Sequence, residues 1–425
     1  MALMTRTPLL VVAVLAWAAA VVTSAQLSES VIAPEHPAIG YGSEPTDRVA
    51  ALNRRLLNGA TRLDFDARSG YLRALLAALD VPVESQIALF SGTSLQARRI
   101  NARNPRTIYF NESVAVAWMP GGLIEVASLD PRQGAVFYFL PQTQAPTPQL
   151  IRDTGCLQCH YSTATLGVSG FLVRSIPSGM DGSLLPWLGN YTTDHSSPLE
   201  ERWGGWYVTG RGGSRHLGNA PVADTAARDI RVEDSNLNVT TLADRFDTGT
   251  YLSPFSDIVA LLVFDHQMRM MNLLIRLGWE ARILEHDKRP DATTTLAAAA
   301  AEVVDYLLFV DEAPLDGVRG TSGFAEQFSA RGPRDSKDRS LRDLDLDRRL
   351  LRYPCSYMIY SDAFDALPPA AKEAVYRRMW QVLSGSDATP KYARLSSADR
   401  QAIVEILRDT KKDLPGFFSP PPSRP

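Results

Sequence analysis

Cysteine, histidine and net charge are all scarce in this sequence. It has three cysteines and six histidines among 425 residues, and 44 basic residues nearly balance 47 acidic ones, for a formal net charge of −3. Three cysteines are too few for a disulfide framework, so each one needs its own explanation. The near-neutral charge excludes the strongly basic surface that nucleic acids or anionic membranes attract, and we expect no nucleic acid as a partner.

The rest of the composition is that of an ordinary globular protein. Hydrophobic residues make up 45% of the chain and charged residues 21%, which excludes a disordered chain, a collagen or a coiled-coil rod. A chain of this length buries a core without disulfide staples and suggests two or three domains.

Long charge-free runs are also rare, and the one that stands out lies near the start. Arg6 precedes the apolar run Leu9–Val22, and Thr23–Ala25 supply small residues where a signal peptidase cuts. This order predicts a secretory signal peptide at 1–25. The run is shorter than the roughly 20 residues of a spanning helix, which leaves an uncleaved anchor helix as the alternative. We expect a periplasmic or secreted mature protein with no transmembrane segment.

The patterning after the signal predicts an α+β fold in three regions. An N-terminal α+β domain at 26–150 has two helices and a small antiparallel β meander, a Gly-rich segment follows at 151–250, and a mainly helical region occupies 251–425. The predicted helices are Thr46–Asn58, Ser69–Asp80, Ile258–His286, Thr293–Val310, Pro369–Leu383 and Ser397–Thr410, and the predicted strands are Thr107–Phe110, Val114–Trp118, Leu123–Leu129 and Ala135–Leu140. We expect residues 331–352 to form a solvated loop and helix face, and the tail at 420–425 to be disordered.

One motif in the Gly-rich segment carries specific chemistry. Cys156, Cys159 and His160 form the pattern C-x-x-C-H, which is the attachment sequence of haem c. Two thiols at this spacing reach the two vinyl groups of the porphyrin, and the adjacent imidazole binds the iron from below. Because haem c is attached outside the cytoplasm, the motif and the signal peptide agree. We expect one covalent haem c.

Three other interpretations of the two cysteines remain open. A thioredoxin-like dithiol also uses C-x-x-C but expects a strand before it and a helix after it. A disulfide between Cys156 and Cys159 would close a tiny loop and leave His160 unexplained. A zinc site needs about four ligands, for which Cys355, His195 and His216 are the candidates to complete the set.

The motif resembles that of the c-type cytochromes, and longer runs resemble a family of large secreted bacterial proteins with a single haem motif. These runs are TGCLQCH at 154–160, TDHSSPLEERWGGWYVTG at 193–210 and RHLGN at 215–219. The resemblance implies a covalently held haem and an electron-transfer or oxidoreductase role. Residues 26–155 precede the motif, which in small cytochromes c sits near the chain start, so we do not expect the compact all-α cytochrome c fold.

The sixth ligand of the iron decides what such a haem does. The candidates are His195, His216, His266, Met180, Met268, Met270 and Met271. His195 is preferred because it follows the motif in a polar loop closed by Pro198, where Asp194 or a carbonyl could receive its other ring N–H. The alternative interpretations of His195 are a surface histidine and a helix-entry residue capped by Asp194.

The expected function is single-electron transfer to a redox partner protein. The alternatives are a haem-dependent oxidoreductase or peroxidase with an open distal site, and a non-catalytic haem sensor or docking module. Chain length favours the enzyme slightly, because electron shuttling alone needs far fewer residues.

Overall fold

Seven antiparallel strands form the sheet on which the rest of the protein is built. The computed structural model describes residues 31–230 and 232–419, so the predicted signal peptide at 1–25 and the tail at 420–425 lie outside the described residues. The strands are β1 (Ile87–Leu89), β2 (Arg106–Phe110), β3 (Val114–Trp118), β4 (Ile124–Asp130), β5 (Gly134–Leu140), β6 (Ile151–Arg152) and β9 (Trp206–Tyr207), in the order β6-β5-β4-β3-β2-β1-β9. Two further strands, β7 (Arg174–Ser175) and β8 (Tyr191–Thr192), pair with each other.

The helices are concentrated in the second half of the chain. They are α1 (Arg48–Leu57), α2 (Leu72–Ala78), α3 (Leu157–His160), α4 (Ile258–His286), α5 (Ala292–Leu307), α6 (Phe324–Ala330), α7 (Asp362–Asp365), α8 (Pro369–Leu383) and α9 (Ser397–Thr410). The mixed architecture confirms the predicted α+β class. The meander is confirmed as β2–β5, and α4, α8 and α9 have the predicted bounds.

Several local predictions were wrong. Asp47 rather than Thr46 caps α1, because its Oδ1 accepts from the Val49 backbone N–H at 2.7 Å. The second helix starts at Leu72 without a side-chain cap, so Ser69 does not cap it. α6 was not predicted. The meander is also only part of a larger sheet, since β6 and β9 come from beyond residue 150.

The two faces of the sheet bury different helices. Strand residues of one face, such as Val116 and Val126, pack with α1 and α2. Residues of the other face, such as Phe110, Leu129 and Ala135, pack against α4. The Phe110 and Phe264 rings, for example, lie 4.9 Å apart. Successive side chains of a strand point to opposite faces. Because helices cover both faces, the central strands are apolar on both.

Helix α4 is the central element of the core. By length and apolarity alone this helix could cross a membrane, although we expected no such stretch after the signal peptide. However, 94% of its most apolar window is buried inside the protein. Its N-terminus is held by Asp257, which is fully buried. One carboxylate oxygen accepts from the N–H of Val259 at 2.8 Å, and the other accepts from the N–H groups of Thr321 and Ser322 at 2.7 Å each.

Replacing Asp257 should therefore be costly. Asp257→Ala removes a helix cap and leaves buried N–H donors without partners, and we expect a loss of about 3 kcal/mol in the free energy of unfolding. The control is Asp291→Ala at the start of α5, where the side chain makes no capping bond and we expect a loss of about 0.5 kcal/mol or less. Urea unfolding curves measure both. Equal losses for the two variants would contradict this role of Asp257.

Candidate functional site

The chain reaches the C-x-x-C-H motif from the edge of the sheet. β6 pairs with β5, and the Asp153 N–H donates to the Phe137 carbonyl at 2.9 Å. The Asp153 carboxylate then accepts from the Gly155 N–H at 2.8 Å and turns the chain into α3. This short helix ends at His160, so the motif lies beside the edge strand.

Both cysteines of the motif are free thiols. Cys159 is exposed and Cys156 is partly buried. Burial, together with the nearby charges of Asp153 and Glu125, raises the pKa of Cys156 to about 12. Reactive dithiols depend on a lowered thiol pKa, so this environment speaks against a thioredoxin-like function.

The described residues do not assemble a zinc site around the motif. Cys355 is fully buried and its pKa is raised to about 12 by burial, as expected for an inert thiol. Within residues 31–230 and 232–419, one group of three possible ligands is close enough for a metal, namely His36, His286 and Asp287. There His36 Nδ1 accepts from the Ala38 N–H at 3.2 Å, which puts the ring proton on Nε2, the nitrogen that faces Asp287 at 3.5 Å.

His160 is oriented as an iron ligand needs to be. Its Nδ1 lies 3.0 Å from the Gly170 carbonyl oxygen, and since a carbonyl only accepts, Nδ1 carries the proton. Nε2 therefore keeps its lone pair, and it is not among the buried atoms without partners in the described part of the chain. The ring packs against Phe137 at 4.7 Å. Burial lowers the pKa of His160, partly offset by the Gly170 bond, which keeps the ring neutral at pH 7.

Helix α4 fixes the carbonyl that orients His160. The Asn272 side chain accepts from the Phe171 N–H and donates to the Phe171 carbonyl, both at 2.7 Å. A Cβ atom on Gly170 would lie 2.4 Å from the Asn272 oxygen, so the backbone approaches this side chain as only glycine permits. No sequence signal reveals Gly170 and Asn272 as part of the site, because they meet through the tertiary fold.

His195 lies in a different environment from His160. Its Nδ1 is 2.7 Å from His266 Nδ1, and its ring stacks on Tyr306 at 3.9 Å. Its Nε2 is buried without a hydrogen-bond partner. The expected bond to Asp194 is not made, because the Asp194 carboxylate accepts from the Ser196 N–H at 2.8 Å instead.

The position of His195 along α4 bears on its expected role as sixth ligand. His195 contacts α4 at His266, whereas the segment that orients His160 contacts it at Asn272, about 9 Å further along the helix. Two imidazoles on one iron each need a bond of about 2 Å. No hydrogen bond or ring contact among the described residues joins His195 to His160, so its assignment as sixth ligand stays a prediction.

The other candidate ligands are placed as follows. His216 is buried, accepts from the Gly218 N–H at 3.1 Å, and has its pKa lowered to about 4 by burial. Met180 is exposed, and His266, Met268, Met270 and Met271 are buried in α4. Within the described part of the chain, His160 makes no hydrogen bond or ring contact with any of them.

The run at 193–210 docks onto α4 through polar contacts with Asp265. The Asp265 carboxylate accepts from Thr193 Oγ1 at 3.2 Å and from Trp203 Nε1 at 3.1 Å, and Arg202 pairs with it at 3.4 Å. Burial raises the pKa of Asp265 to about 6 despite these partners. This run is therefore anchored to the buried helix α4, and Trp203 belongs to the core.

Comparison with protein-family models, with curated proteins and with solved structures found no match for this chain. The interpretation of the site therefore rests on the chemistry of the residues themselves.

The buried His195 should make stability depend on pH. Burial and the Arg202 charge lower its pKa to about 3, whereas an unfolded histidine titrates near 6.5. The unfolded chain then binds more protons, so this group costs stability as the pH falls from about 6.5 toward 3. His195→Gln should be less stable than the native sequence at pH 7.5, and its deficit should shrink at pH 4 by about 3 kcal/mol.

Thermal and urea unfolding at both pH values measure this difference. His286→Gln, which removes an exposed histidine, is the matched control. A deficit of His195→Gln that stays the same from pH 7.5 to pH 4 would contradict a buried neutral ring.

Proposed function

We propose that the protein is an extracytoplasmic c-type cytochrome that carries one covalent haem c and exchanges single electrons with a redox partner protein. The observation that carries this proposal is the geometry of His160. Its Nδ1 is held by the Gly170 carbonyl at 3.0 Å, which leaves the lone pair on Nε2, and two free thiols lie on the same turn of chain.

The residues of the motif fit haem c better than they fit the other interpretations. Cys156 and Cys159 would form the thioethers, and His160 Nε2 would bind the iron. Metal-bound histidines donate their other ring N–H to a carbonyl or carboxylate, as His160 does. Neither a dithiol nor a disulfide requires His160 to be held in that orientation. The bound haem would supply the one-electron redox chemistry.

The protein would orient the His160 ring, bury part of the haem site and leave another part accessible to a redox partner. Phe137 and the Gly170 carbonyl fix the plane of the His160 ring, while Leu157 packs on the hydrophobic core. The exposed Cys159 places one side of the site at the surface. A redox partner would approach there, and a periplasmic or secreted location is part of the proposal because of the predicted signal peptide.

A haem-dependent oxidoreductase or peroxidase is the second candidate. It is favoured slightly by the length of the chain, because electron shuttling alone needs far fewer than 425 residues. An iron without a sixth protein ligand binds small molecules.

Covalent attachment is the direct test of the proposal. In a host able to attach haem c, the native sequence should gain the mass of one haem that survives acid-acetone extraction, because thioethers are not broken by acid. Cys156→Ala together with Cys159→Ala should lose that mass in an intact-mass measurement. Cys355→Ala, at the buried inert thiol, is the control and should retain it. Purified protein with zinc and no haem would refute the proposal.

Cyanide binding distinguishes the two candidate functions. Electron transfer predicts a six-coordinate, low-spin visible spectrum that cyanide leaves unchanged. A high-spin spectrum that shifts on cyanide addition would instead support the open-site enzyme. If the native spectrum is low-spin, His195→Ala converts it to high-spin only if His195 is the sixth ligand. An unchanged spectrum would exclude His195 and direct the same test to Met180, His216 and His266.

A further inference from the structure

We propose that the ion pair of Arg106 and Glu125 forms a charged wall of the haem site and tunes the reduction potential of the iron. This inference rests on the proposed function. It concerns two residues that lie well before the motif in the chain and that no motif marks.

Strand register brings Glu125 to the site. His160 packs on Phe137 of β5, and Phe137 is paired with Ala127 of β4. Glu125 lies two residues before Ala127, so it shares the same face of the sheet and is the diagonal neighbour of Phe137, at about 7–8 Å between backbones. The Glu125 carboxylate therefore projects from the surface on which His160 sits.

Arg106 reaches this position across a strand. Arg106 is on β2 and Glu125 on β4, with β3 between them, yet Arg106 NH1 lies 2.8 Å from Glu125 Oε2. The β3 residue opposite Glu125 is Ala117. Because alanine has a short side chain, the arginine passes over β3 to the carboxylate.

The same face of the sheet carries three small side chains that are not fully buried. Ala115, Ala117 and Ala127 are partly exposed although β3 and β4 are central strands of the sheet. Their neighbours on the opposite face, such as Val116 and Val126, are fully packed. The ion pair borders this alanine surface, because Arg106 passes over Ala117 to reach Glu125.

Both charges are held in place and largely removed from water. The side chains of Arg106 and Glu125 are 13% and 23% exposed. Ser94 Oγ donates to the other carboxylate oxygen at 2.7 Å, and Arg106 Nε is buried without a partner. Burial alone would raise the pKa of Glu125, but the Arg106 charge and the Ser94 bond outweigh it and hold that pKa below its usual range.

Both charges lie on the face of the sheet against which the His160 ring packs. An iron bound to His160 would feel their fields, because charge interactions weaken only gradually with distance in a partly buried site. A carboxylate favours the ferric state and lowers the reduction potential, whereas a guanidinium raises it.

Charge-specific variants test this inference in the haem-loaded protein. Redox titration should give a higher midpoint potential for Glu125→Gln and a lower one for Arg106→Gln than for the native sequence. The double variant and Arg106→Lys should lie close to the native value, because each preserves the net charge of the pair. The control is Asp387→Asn, which breaks the comparably buried pair Arg378–Asp387 in the helical region and should leave the potential unchanged.

Opposite signs separate tuning from structural damage. The inference would be overturned if the midpoint potentials of Glu125→Gln and Arg106→Gln moved in the same direction. It would also be overturned if neither potential moved more than that of Asp387→Asn. If Arg106→Gln does not fold, Glu125→Gln is the deciding variant, because its amide can still accept the Ser94 hydrogen bond. A midpoint potential that does not rise in this variant would refute the inference. A native protein without covalent haem would refute the proposed function itself, whereas attached haem with unmoved potentials refutes only this inference.

Discussion

The packing of helix α4 against one face of the sheet is the constraint on which the site depends. Asn272 on this helix holds both backbone groups of Phe171, and the adjacent Gly170 carbonyl orients His160. Asp265 and His266, seven and six residues earlier on the same helix, hold the run at 193–210. A single buried helix therefore positions both the segment that orients His160 and this run, and its capping by Asp257 matters beyond local helix stability.

Burial sets the protonation of the groups around α4. His160, His195 and His266 all have their pKa lowered chiefly by loss of solvent, so the rings are neutral at pH 7. A neutral ring is what an iron ligand requires at His160, and the Nδ1–Nδ1 contact of His195 and His266 requires that one of these two nitrogens carries no proton. The same burial keeps the Cys156 thiol protonated, which separates this motif from a redox-active dithiol.

Much of the fold was predictable because its signals are local. The β-rich runs of β2–β5, bounded by glycine and proline, and the helical period of α4, α8 and α9 are read from neighbouring residues, and the structure confirms these elements. β6 and β9 were missed because each has two residues, too few for a periodic pattern, and only pairing with a distant strand makes them part of the sheet. The prediction that Thr46 caps α1 was wrong by one position, because Asp47 offers the same capping chemistry and its side chain makes the bonds.

The sequence by itself determined the chemistry of the motif, because Cys156, Cys159 and His160 are neighbours whose spacing needs no tertiary structure to be recognised. Only the tertiary structure decided which nitrogen of His160 carries the proton, since Gly170 is brought to it by α4. It also decided that His195 pairs with His266 and that Arg106 crosses β3 to Glu125. Such contacts join residues far apart in the chain, and local sequence patterns do not encode which distant groups a fold brings together.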